Sequence, residues 1–166
     1  GVSLERIVVI PDVVAVIAAT VRGAAAEFDL VFTSGGVGPT HDDLTIAGIA
    51  EAFGCPVVQH PRLRAAIERV GGDNPGAAML KMAEVPQGAE LVGDEGDIFP
   101  TVRVRNVYVL PGVPEIFETS LSLVSHVLLF LNVPAREILE TTEDIRHDRY
   151  AILRSVFRRR EARPIE

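Results

Sequence analysis

The sequence predicts a single α/β domain on a mostly parallel sheet, and three observations lead there. Two short apolar runs, Ile7–Ile10 and Leu30–Thr33, have the length and β-branched content of strands buried on both faces. A helical apolar pattern follows each run, giving the strand–helix alternation of a parallel sheet. Between the second run and its helix lies a glycine-rich loop, at the strand end where open α/β sheets hold ligands.

Each element has its own signal. Pro11-Asp12 ends the first strand, and Asp12 is placed to cap the helix Val13–Val21. Thr45 is placed to cap a helix that runs to Phe53 and stops at Gly54. Pro61 opens another helix, closed by Gly71-Gly72, and Asn74-Pro75 repeats that start signal before Gly76–Ala83. Leu91-Val92 reads as a short strand, and Thr101–Arg105 with Val107–Leu110 as a hairpin turning near Arg105-Asn106. After a Pro111–Pro114 turn, Glu115–Phe130 carries Ile116, Phe117, Leu121, Val124 and Leu128 at helical core spacing. Arg136–Tyr150 is charge-rich. The tail with Arg154, Arg158, Arg159, Arg160 and Arg163 reads as a solvated terminal helix or a frayed end. No repeat or linker marks a second domain, so residues 1–166 are read as one.

Composition narrows the function classes. Only 5% of residues are aromatic and Trp is absent, so Val, Leu, Ile and Ala must build the core. A net charge of −7 argues against a nucleic-acid binder, which needs a basic surface to displace phosphate counterions. It does not exclude a small phosphorylated ligand held by backbone amides. Cys55 is the one cysteine, so no intrachain disulfide forms. The apolar stretches are too short for a membrane span and no signal peptide is visible, so a cytoplasmic location is expected, with no membrane partner.

The segment Ser34–Thr45, SGGVGPTHDDLT, carries the chemistry. Glycines allow positive φ and close approach to a ligand. The N–H groups of Gly35, Gly36, Val37 and Gly38, with the start of the next helix, form an anion-binding concavity. Ser34 and Thr40 add hydroxyl donors. The loop lacks the lysine and spacing of a P-loop and is not a GxGxxG. Asp42 and Asp43 follow directly. Two carboxylates beside a phosphate cradle repel the anion unless a divalent cation lies between them, and Mg²⁺ suits one or two carboxylates plus ligand phosphates. The alternative is that Asp42 and Asp43 only favour the helix N-terminus electrostatically. His41 is either a phosphate donor and general acid or a solvated loop residue. His60, His126 and His147 lack partners at metal spacing, and Asp94, Glu95 and Asp97 lack the calcium-loop pattern.

These residues carry a resemblance. SGGVGPTHDDLT resembles the signature loop of the molybdopterin-binding domain family, in the GPTHDD form of its competence/damage-inducible protein A branch. Val9-Ile10-Pro11-Asp12, NPGAAMLKMA from Asn74 to Ala83, and NVYVLPGVP from Asn106 to Pro114 match in order, so the resemblance covers about residues 1–129. It implies a three-layer α/β domain around a mixed sheet, often a homo-oligomer, that binds phosphorylated pterins such as molybdopterin, or nucleotide diphosphates. For this branch it implies metal-dependent hydrolysis of the pyrophosphate in ADP-ribose-like compounds. By motif match to the adenylyltransferase relatives, Asp12 and Asp43 are the functional carboxylates. The matched position of Lys81 implies a phosphate contact, against the plainer alternative of an exposed helical lysine. Pro111–Pro114 either closes over the ligand or is a structural turn. The family normally begins with a further strand and a GDE-containing loop. This sequence shows neither, and residues 130–166 match poorly.

Three functions are therefore expected in order. The first is a pyrophosphatase using Mg²⁺ or another divalent cation, with Asp43 and Asp42 as metal ligands, Asp12 orienting metal or water, and His41 assisting. The second is a binding module for nucleotide or pterin without turnover. The third is adenylyl transfer to molybdopterin, which Asp42 disfavours by standing where those relatives carry a basic residue.

Overall fold

The computed structural model of the chain describes residues 2–71, 75–93, 97, 100–113, 116, 120 and 152–159. In chain order these form β1 (Val2–Val9), α1 (Val14–Glu27), β2 (Leu30–Ser34) and α2 (Thr45–Phe53). There follow β3 (Val57–Gln59), α3 (Pro61–Gly71), α4 (Ala77–Lys81) and β4 (Glu84–Pro86). The remainder are β5 (Glu90–Val92), β6 (Thr101–Val104), β7 (Val107–Leu110) and β8 (Ile152–Arg159).

The central pair β2–β7 organises the molecule. They run parallel, with Val31 opposite Val107 and Ser34 opposite Leu110, and every residue of both is buried. Strand alternation splits them between two faces. Val31, Val107 and Val109 join Ile10, Ile17, Ala18, Val21 and Ile49 in one cluster, beneath α1 and α2. Phe32, Tyr108 and Leu110 are buried on the other face, with the rings of Phe32 and Tyr108 stacked at 5.2 Å between centroids. A strand buried on both faces needs a layer on each side, which gives the three-layer α/β architecture. A smaller cluster of Leu63, Ala83 and Val85 joins α3 to the two-stranded sheet β3–β4.

The large sheet runs β1-β8-β2-β7-β6-β5 and is mixed, though less parallel than the strand–helix alternation suggests. Among the described pairings only β2–β7 is parallel, because hairpins build β5–β6–β7 and β8 enters antiparallel to both its neighbours. Being each antiparallel to β8, β1 and β2 point the same way, and so does β7. Their carboxyl ends therefore lie on one edge of the sheet, which places Asp12, the glycine loop and Pro111-Gly112 together.

Several expectations need correction. The tail is a strand over Ile152–Arg159, not a terminal helix or frayed end. The α1 crossover leaves a gap one strand wide between β1 and β2, whose facing backbone groups require partners; β8 supplies them, from Val2 opposite Arg159 to Ser34 opposite Ile152. Among the described residues β1 is an edge strand rather than one buried on both faces, and Ile7 and Val9 are exposed. Asp12 does not cap α1: a hydrogen bond from Val13 N–H to Pro11 O (2.8 Å) closes a tight turn around it, and Val13 is the N-cap. Thr45 is the first residue of α2, not its cap. β3 and β4, three residues each, were not anticipated. The hairpin turn is where expected, with Arg105 left-handed at φ 55 and Asn106 donating to the carbonyls of Ala25 and Phe28. Of the helix expected at Glu115–Phe130, only positions 116 and 120 lie within the described residues, and both are helical. No helix among the described residues is long and apolar enough to cross a membrane.

Candidate functional site

The glycine loop is built by what its neighbours demand. Gly35 and Gly36 adopt φ of 91 and 64, a region costly for residues with a Cβ. Gly35 N–H donates to Leu110 O (3.1 Å) and the Ser34 hydroxyl to Pro111 O (3.2 Å), which fastens the loop to the turn after β7. Backbone meets backbone here: a Cβ on Gly112 would lie 3.0 Å from Gly35 Cα. On the helix side Thr45 donates its hydroxyl to Gly35 O (2.8 Å) and its N–H to Gly36 O (2.9 Å).

Beyond Pro39 the chain folds into a turn. Asp43 Oδ2 accepts from the Thr40 N–H (2.9 Å) and hydroxyl (2.5 Å), and Asp43 N–H points back to Thr40 O (3.4 Å). Lys81, at the end of α4, donates to Thr40 O and to Asp43 O (3.1 Å). The Thr40 hydroxyl is the main cause holding the Asp42 carboxyl below its usual value. The Asp42 backbone amide helps, and the charges of His41 and Lys81 add to it.

A pocket of about 570 Å³ opens on this loop, within the range of small-molecule sites. Gly35, Gly36, Val37, Gly38, Asp43 and Lys81 line it, so the structure brings together most of the residues expected there. The N–H groups of Gly36, Val37 and Gly38 have no acceptor among the described residues. The Gly35 N–H is spent on Leu110, so the available cradle is one residue shorter than the sequence suggests.

Other expected residues stand aside. Ser34 is buried, with its hydroxyl on Pro111 O, and Thr40 spends its hydroxyl on the Asp43 carboxylate; neither lines the pocket. His41 and Asp42 are exposed and outside it. Asp12 is half-buried beside the loop, its Oδ1 3.3 Å from where a Gly36 Cβ would sit. Glu84 and the wall formed by Leu63, Met82, Val102, Val109 and Ile116 were not foreseen. Their residue types signal only core or surface, and the fold alone makes them a wall. Pro111, Gly112 and Val113 do border the pocket.

Among the described residues no three His, Cys, Asp or Glu side chains gather to hold a metal. The donor set suits a hard cation bound by the one loop carboxylate facing the pocket, Asp43, together with ligand phosphates and water, the mode that Mg²⁺ favours.

Over residues 1–129 the chain matches the family model described as "Probable molybdopterin binding domain". It is 38% identical over 120 residues to a protein of Archaeoglobus fulgidus, covering 72% of this chain and 52% of that protein. A "CinA-like protein" of Myxococcus xanthus is 36% identical over 128 residues, with 73% and 30% covered. A "Probable FAD synthase" of Caenorhabditis elegans is 35% identical over 140 residues, with 71% and 27% covered. The chain thus spans about a quarter to a half of these curated relatives. Among solved structures it is similar to the protein CinA, of unknown function, from Thermoplasma acidophilum: TM-score 0.61, 31% identity, 69% of this chain and 71% of that one.

Proposed function

This chain belongs to the molybdopterin-binding domain family, in its CinA branch, and we propose that it is a metal-dependent nucleotide pyrophosphatase of the ADP-ribose type. One observation carries the reading: three consecutive N–H groups, Gly36 to Gly38, have no acceptor among the described residues and lie beside the carboxylate of Asp43 in a single pocket. Amides so arranged suit a diphosphate. The apolar wall suits a base or a pterin ring, so a phosphorylated pterin such as molybdopterin is the other ligand of this class. The relative named for FAD synthesis points to the same nucleotide chemistry.

In this reading the amides of Gly36–Gly38 orient the diphosphate. Asp43, whose Oδ2 accepts from Thr40, would hold a divalent cation. When bound, the cation would supply Lewis acidity at phosphorus and acidify water. Water oxygen bonds to one phosphorus, the bond to the bridging oxygen breaks, and AMP and ribose 5-phosphate leave. Asp12, next to Gly36, orients the water or its proton. His41 and Asp42, outside the pocket, are given no step.

A binding module without turnover is the second reading, and the engagement of Asp43 Oδ2 by Thr40 favours it. Asp43→Asn separates the two. Losing several kcal/mol of electrostatic stabilisation lowers hydrolysis on the order of 10²-fold, while metal-free affinity for ADP-ribose stays level or rises slightly. The assay compares Mg²⁺, Mn²⁺ and Co²⁺ with a chelator control. Tight binding with no turnover under any metal favours the module, and turnover indifferent to Asp43→Asn places the chemistry on other residues.

A further inference from the structure

We infer that Lys81 is a positioning residue that sets the Asp43 turn through main-chain oxygens. The inference rests on the pyrophosphatase reading only for its catalytic consequence.

Lys81 ends α4, and just beyond it Ala83 is fully buried against Leu63 and Val85. Its ammonium reaches across from α4 and donates to Thr40 O and Asp43 O, the two ends of the turn. An ammonium has three donors and no acceptor, and hydrogen bonds from a charged group are roughly twice as strong as neutral ones. The same turn is closed from inside by the Asp43 carboxylate on Thr40. One cation therefore spans a turn carrying two adjacent carboxylates.

Lys81 is the chain's one lysine and the only cation among the described residues lining the pocket. A lysine serving phosphate alone would be expected to project into open space. Here two donors are committed to carbonyls, and the carboxylate they hold in place borders Gly38: a Cβ there would lie 2.6 Å from Asp43 Oδ2. Lys81 thus places Asp43 relative to the cradle.

The test is amide hydrogen exchange by NMR on the protein without ligand or metal. Lys81→Met should speed exchange at Thr40 and Asp43 by about tenfold, while Val31 and Val107 exchange unchanged. Those core amides also report whether the variant has folded, and Lys81→Arg, which keeps the charge, should restore much of the protection. In turnover, Lys81→Met should lower kcat with KM nearly constant, because it displaces the Asp43 carboxylate. Unchanged exchange at Thr40 and Asp43, or a rise in KM alone, overturns the inference. If the unmutated protein hydrolyses nothing, the pyrophosphatase reading fails and the exchange experiment still decides the role of Lys81.

Discussion

Gly38 has no side chain because Asp43 fills the space: a Cβ there would meet three carboxylate atoms at 2.6–3.3 Å. Gly36 is constrained twice, by a left-handed backbone and by Thr45 Oγ1, 2.3 Å from where its Cβ would sit. The sequence announces that these glycines are needed, since the loop is unusual, but not which atoms exclude a side chain. It also overcounts donors. The Ser34 and Thr40 hydroxyls are real donors, spent inside the fold, and no linear motif records that. Asp42 offers a test at this scale. Its folded pKa is depressed below 3.8, first by the Thr40 hydroxyl. Its contribution to stability is therefore complete above the unfolded value and is lost as pH falls through the lower folded one. NMR titration of the Asp42 carboxyl should show Thr40→Val raising the midpoint more than His41→Ala does. The reverse order would mean that charge, not the hydroxyl, controls this carboxylate.

α1 and α2 cross where Gly48 faces Ile17. A Cβ on Gly48 would lie 2.4 Å from Ile17 Cγ2 and 2.6 Å from its Cβ, and Ile17 is 2% exposed. Two effects compete in Gly48→Ala. Helix propensity favours alanine by about 1 kcal/mol, whereas overpacking against a β-branched residue costs about 1–3 kcal/mol. Packing wins, so denaturant titration should show a net loss of stability. Ile17→Ala alone costs about 2–5 kcal/mol, and because alanine keeps the Cβ that would lie 2.6 Å from the new one, Gly48→Ala should stay destabilising in that background, by less than in the unmutated protein. A stabilising Gly48→Ala in the unmutated protein would mean that the helices sit farther apart. Elements with strong local signals were legible: the stop at Gly54, the hairpin near Arg105-Asn106, the helix opening at Pro61. β3, β4 and β8 were not. The first two are three residues long, and β8 exists because β1 and β2 leave a gap that only the folded sheet defines.

At the scale of the molecule, function follows from strand direction. β1, β2 and β7 end on one edge of the sheet, and their loops bring together residues as far apart in sequence as Asp12, Gly36 and Gly112. The second body, α3, α4 and β3–β4, closes the other side of the pocket with Leu63, Lys81 and Glu84. The loop's place at a strand end was readable from residue pattern, because glycines and acids cluster in one stretch. The far wall was not, because its residues are scattered from Leu63 to Ile116 and meet only through tertiary packing. The central claim is that the diphosphate of the ligand lies on the amides of Gly36 to Gly38. A crystal structure with ADP-ribose tests it most directly. Phosphate oxygens within about 3 Å of those three nitrogens, with the base against the apolar wall, are the predicted result. Well-ordered ADP-ribose bound elsewhere, with the loop empty, would contradict it.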